Sequence, residues 1–178
     1  EKPISVSIDP DFDIFRKLDM AETSPILRDI TLSTNTAIIL VNLNKAMQKT
    51  AKKLVTRIMD ERAHFMKAFQ TAEHDGPILV IGTALEVAKF LNRNDFQATP
   101  KAIKNRGSAR VWTTRRVSNN GTPLPVLVIE ANDNQALEHL LRPLPHYGRR
   151  GYLVFDAAKV VDSGVMPPKG NPLNVTIN

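Results

Sequence analysis

The chain has no cysteine among its 178 residues, which excludes disulfides, thiolate nucleophiles and the cysteine-based zinc sites. That absence is compatible with the cytoplasm and with an exported location. No apolar run approaches the roughly 18–20 residues of a membrane-spanning helix, so no membrane segment is expected. Nothing at the start reads as a signal peptide, but the chain opens on Glu1 rather than Met and is read as an excised or processed piece. Aromatic residues make up 6%, with a single tryptophan, Trp112, so the row of rings on which a single-strand nucleic-acid binder stacks bases is missing.

Several chemistries lack their residues. Only four histidines occur, His64, His74, His139 and His146; Glu61 and His64 are three apart, but there is no HExxH, and no metal site is expected. Neither GxGxxG nor GxxxxGK[ST] appears, and no GxSxG elbow presents a serine to a base, so no catalytic residue is assigned. Acids are absent from 96–129, where Lys101, Lys104, Arg106, Arg110, Arg115 and Arg116 stand, and residues 45–67 carry seven cations against two acids. The net charge is +6. If the two basic stretches converged they would offer phosphates one face; the preferred reading is a solvated helix face and a loop docked on an acidic neighbour, with nucleic acid disfavoured.

What is present alternates between two periods. Residues 3–8 alternate apolar and polar as a leading strand, with no hairpin partner nearby. An acidic segment follows, which Phe12, Ile14, Phe15 and Leu18 would anchor. Ser24-Pro25 marks a short helix over Pro25–Asp29. Residues 36–43 form an apolar, β-branched strand, and 45–69 take on helical period through Met47, Ala51, Leu54, Ile58, Phe65 and Phe69. Further strands are expected at 78–81, 110–117 and 125–131, the last two joined by an Asn119-Asn120-Gly121 turn, with helices at 84–91 and 134–141 capped by Thr83 and Asp133. Val160, Val161 and Val165 follow a strand at 152–156 as a terminal hairpin or edge. This alternation predicts an α/β fold of three layers, with a mainly parallel central sheet, flanking helices and an antiparallel edge hairpin.

Residues 141–156 are the most conformationally committed stretch. Pro143 and Pro145 fix φ, remove two donors and bias Arg142 and Leu144 away from the helical region. Gly148 and Gly151 offer positive φ or close backbone approach. The run sets His146, Tyr147, Arg149 and Arg150 at a sheet edge, where arginine forks suit a carboxylate or phosphate. Thr83, at a strand-to-helix turn, is the other candidate for holding an anion. Without a nucleophile, base or metal set elsewhere, the stretch reads first as a rigid junction and second as a binding site.

Three segments, DPDFDIFRKLDMAETSP at 9–25, ILVIGTALEVAKFL at 78–91 and RPLPHYGRRGYLVFD at 142–156, carry a resemblance. Together they resemble the non-catalytic C-terminal region of bacterial zinc aminopeptidase-type proteins built on a thermolysin-like catalytic domain. Phe15, Arg16, Leu18 and Asp19 match an FRxLD motif, and Leu144, Pro145, His146, Tyr147 and Gly148 match LPHYG. The resemblance implies that 1–30 are a leading strand and linker from a preceding domain and 31–178 an α/β accessory domain. Such a domain would serve interdomain packing or substrate presentation in an exported, periplasmic parent chain of the metallopeptidase family. Its partners would be the preceding domains of the same chain, with homo-oligomerisation the other option. The family's zinc motif has no counterpart here, so the resemblance implies no cofactor in this fragment.

Overall fold

The structure is a computed structural model that describes residues 4–8, 23–59, 64–167 and 174–176. Its centre is a sheet of seven strands: β2 (Ala37–Val41), β3 (His64–Phe65), β4 (Ile78–Gly82), β5 (Ala109–Val117), β6 (Pro123–Ala131), β7 (Tyr152–Asp156) and β8 (Lys159–Gly164). The order across it is β3-β2-β4-β6-β5-β7-β8. β3, β2, β4 and β6 run parallel, and β5, β7 and β8 are each antiparallel to their neighbours. The fold is therefore α/β, parallel in its core with an antiparallel edge.

Burial explains why the parallel strands are apolar throughout. Ile78–Ile81 and Val126–Ile129 are covered on both faces, so alternation would leave a polar side chain dry at every second position. One layer is made by α1 (Leu27–Thr31), α2 (Lys45–Ile58) and α4 (Asn134–Leu140), whose Leu27, Ile30, Met47, Leu54, Leu137 and Leu140 pack on Ile38, Leu79 and Leu127. The opposite layer is α3 (Ala84–Arg93) with the turn segment around Ile103, packed on Ile39, Val80, Trp112 and Val128.

The caps follow the expected chemistry in part. Asn44 accepts from the Met47 amide at 2.9 Å at the start of α2, and Asp133 from the Ala136 amide at 2.8 Å at the start of α4. Thr83 occupies the cap position of α3, but its hydroxyl makes no capping bond. The first helix also differs from the expected Pro25–Asp29. It starts two residues later, with the Ile26 amide donating to the Asp29 carboxylate at 2.9 Å, while the Pro25 carbonyl is taken by the Thr113 hydroxyl. Helix α1 straddles residue 30, and its Leu27 and Ile30 are core residues of the sheet unit.

The predicted helix over 45–69 ends at Ile58. Met59 turns extended, at φ −120° and ψ 135°, and is buried. His64 and Phe65 then pair with Ala37 and Ile38 as an edge strand, and Ala68–Glu73 form a 3-10 helix. The apolar period that suggested continuation consists of two surface rings: Phe69 is 78% exposed, and Lys52 and Lys67 lie over Phe65 and Phe69 at 5.9 and 5.8 Å. The leading strand, β1 (Ser5–Ser7), does have a partner. It pairs antiparallel with β9 (Asn174–Thr176) in a separate two-stranded ribbon. The acidic segment with Phe12, Phe15, Arg16, Leu18 and Asp19, and also Glu61, lies outside the described residues.

Candidate anion-binding cleft

The junction from α4 to β7 builds the site. Helix α4 stops at Leu140, as the proline at 143 requires, and Leu141 caps it. Leu144 does not take the extended conformation expected before a proline. It opens a 3-10 helix, Leu144–Tyr147, in which Pro145 falls in the first turn, where a missing N–H costs nothing. Leu144 is buried, and Tyr147 packs edge-on against Phe155 with ring centres 6.3 Å apart. Both anchor the turn to the core, and Tyr147 also lines the cleft that the turn helps to form.

The glycines act differently from expectation. Gly148 is right-handed at φ −53°, and neither it nor Gly151 uses positive φ. Gly151 instead allows close approach: a Cβ there would lie 3.2 Å from the Val165 Cα and 3.3 Å from the Pro25 carbonyl oxygen. That approach lets the start of α1 dock on the turn. The Leu27 amide donates to the Arg150 carbonyl and the Arg28 amide to the Gly148 carbonyl, both at 2.9 Å. Arg28 is thereby carried to the same spot as Arg149 and Arg150.

The result is a cleft of about 690 Å³ with Arg28, His146, Arg149 and Arg150 on its walls and Leu32, Ile58 and Pro145 among its apolar contacts. The four basic residues are exposed. No hydrogen bond or ion pair engages their side chains among the described residues, in contrast to the buried Arg110 and Arg116. Adjoining the cleft is a smaller, more enclosed slot of about 20 Å³ lined by Leu27, Ile58, Leu127, Leu144 and Pro145. The cleft can hold an anion by charge-assisted hydrogen bonds, with an apolar wall beside it.

His146, Tyr147, Arg149 and Arg150 thus come together, and Thr83 does not join them. They precede the amino end of β7, whereas Thr83 follows the carboxyl end of β4, and these strands run the same way. Thr83 therefore lies at the opposite end of the sheet. The turn before it serves packing: a Cβ on Gly82 would lie 2.9 Å from Val87 Cγ2, so the glycine lets α3 close onto the strand. Nothing in the sequence near the junction points to Arg28, Leu32 and Ile58, which lie more than 80 residues away from it.

The two basic stretches do not converge. Helix α2 covers one face of the sheet and the segment around Ile103 the other. Within the second stretch, Arg110 and Arg116 are buried. Arg110 donates through Nε to Glu130 at 2.9 Å and through its other nitrogens to Asn132 and the Arg106 and Gly107 carbonyls; Thr99 donates to the other Glu130 oxygen at 2.8 Å. Arg116 donates to the His74 and Gly76 carbonyls, and burial pulls its guanidinium below its ordinary value, with Asp75 opposing. His74 contacts the Asn35 and Pro77 carbonyls at 3.0 and 3.3 Å. Among the described residues no three histidine or acidic side chains gather as a metal set, and no helix is long and apolar enough to cross a membrane.

No family model and no curated protein matches this sequence. Among solved structures, one described as "Structure of CpGH84D" is similar at 13% identity and a TM-score of 0.35. The likeness covers 78% of this chain and 23% of that one, so the chain spans about a quarter of its length.

Proposed function

We propose that this chain is a non-catalytic α/β accessory module of a larger exported protein of the zinc-peptidase type, and that it works by holding a carboxylate-bearing segment in the cationic cleft. The segment belongs either to a neighbouring domain or to a bound peptide, which makes the module a device for interdomain packing or substrate presentation. One observation carries this reading: Arg28, His146, Arg149 and Arg150 line one concave site with no ion pair or side-chain hydrogen bond among the described residues. On the opposite face two arginines are instead spent on the fold, Arg110 on Glu130 and Arg106 on Asp162 at 2.6 Å. Unpaired guanidinium groups beside apolar walls suit an organic anion, since a fork of two N–H donors matches a carboxylate.

The test is direct. The purified chain should bind an acidic peptide in a salt-sensitive manner, and the double variant Arg149→Ala/Arg150→Ala should lose that binding while melting at the parent temperature. The chain alone should show no chelator-sensitive aminopeptidase turnover. Robust metal-dependent turnover, or binding indifferent to the two arginines, would overturn the proposal.

A further inference from the structure

The cleft adjoins a smaller and more apolar slot, and their juxtaposition narrows what the anion is. The cleft carries three guanidinium groups and an imidazole. The slot is walled by aliphatic side chains from three elements, with Leu27 of α1, Ile58 of α2 and Leu127 of β6 meeting Leu144 and Pro145 of the junction. Thr31, Ile58, Pro145 and Gly148 line both, so the charged cleft and the more apolar slot are immediate neighbours. A free inorganic anion would use the cleft and leave the slot unused. A ligand that uses both carries a short apolar group next to its charge.

We infer that the cleft takes the C-terminal carboxylate of a peptide whose last residue has a small apolar side chain, alanine before any larger one. This inference rests on the anion-holding reading of the cleft given above and specifies its ligand. The slot, at about 20 Å³, has room for a group of about the size of one water or one methyl. The arginines supply the fork for a planar carboxylate, which an internal peptide bond or an amidated end cannot engage as an ion. Leu27 and Leu144 are buried core residues, and Leu127 belongs to a central strand, so the slot cannot widen without disturbing the core.

The experiment is isothermal titration of the whole chain with one short peptide made in four forms: free C-terminal alanine, amidated alanine, free glycine and free phenylalanine. Acetate and inorganic phosphate serve as separate titrants. Expected is tightest binding by the free alanine form, at least tenfold weaker binding by the amide, and roughly fourfold weaker binding by the glycine form, from one methyl left unburied. The phenylalanine form should be weaker than the alanine form because its ring does not fit. In Arg149→Ala/Arg150→Ala the preference for the free end should vanish, and Arg150→Lys, which keeps the charge but loses the fork, should fall between. Equal affinity for the free and amidated forms would overturn the inference, as would a preference for phenylalanine. Binding of phosphate or acetate without any binding of the peptides would refute the terminus inference but leave the cleft an anion site. No binding of any anion would refute both.

Discussion

The buried pair Arg110 and Glu130 offers the sharpest quantitative expectation. Both side chains are 3% exposed, and Glu130 accepts from the Arg110 Nε at 2.9 Å and the Thr99 hydroxyl at 2.8 Å. Replacing Glu130 by leucine leaves the buried Arg110 guanidinium without its counter-charge. It also orphans the Thr99 hydroxyl. Breaking a buried pair by removing one partner costs about 3–5 kcal/mol. For a chain of this size, each kcal/mol moves the melting temperature by about 2–4 °C, so Glu130→Leu should lower it by about 6–20 °C. Replacing both partners, as Arg110→Met with Glu130→Leu, removes the stranded charge and should recover most of the loss. The coupling in that double-mutant cycle should reach at least about 2 kcal/mol. Urea unfolding followed by circular dichroism measures all three variants. A single-variant loss below about 1 kcal/mol, or strict additivity of the two singles, would refute the claim that this pair is dry and mutually dependent.

Three other expectations are simpler. Pro143→Ala with Pro145→Ala should lower stability by about 1–2 kcal/mol, through greater freedom of the unfolded chain. In Pro143→Ala alone, anion affinity should change by no more than about twofold, since Pro143 lines neither the cleft nor its slot; a larger loss of affinity than of stability there would make the junction primarily a ligand site. Gly82→Ala should cost about 1–3 kcal/mol, because the new methyl would press on Val87 Cγ2; a neutral result in thermal melts would show that α3 has room to move. The Tyr152 phenol is held above its ordinary value by desolvation first and then by the Asp162 carboxylate, to which it donates at 3.3 Å. Its neutral form is therefore favoured by folding. That stabilisation is complete below the unfolded pKa of about 10 and is lost as pH rises through the raised folded value. Tyr152→Phe should flatten the alkaline limb of the stability curve, and an unchanged limb would contradict the cause given.

The layer architecture was legible because the signals behind it are local. Ile78–Ile81 and the 126–129 run are too uniformly apolar for a half-exposed strand, Asn119–Gly121 marks its hairpin, and Asp133 caps its helix as a carboxylate should. Where local signals misled, a surface residue mimicked a core one. Phe65 and Phe69 extended the helical period of α2, yet their partners are lysine side chains and solvent, and the backbone turns at Met59. Half of the site was legible for the same reason as the fold, since His146, Arg149 and Arg150 sit between prolines and glycines that fix a turn. The rest was not. Arg28 reaches the cleft only through two backbone hydrogen bonds to Gly148 and Arg150, and nothing near Arg28 in sequence encodes them. Thr83 and the arginines look alike in sequence because both occupy connections between helix and strand. The direction of each connection separates them, since one follows a strand and the other precedes one.

The most direct measurement is a titration of the isotopically labelled chain with a peptide ending in a free alanine, read amide by amide in a two-dimensional nitrogen–proton spectrum. Shifts should concentrate at Arg28, Leu32, His146, Arg149 and Arg150, and the Gly82 and Thr83 amides should stay in place. Shifts centred on Gly82 and Thr83, or none at the arginines up to millimolar peptide, would contradict the cleft as the site where this chain meets its partner.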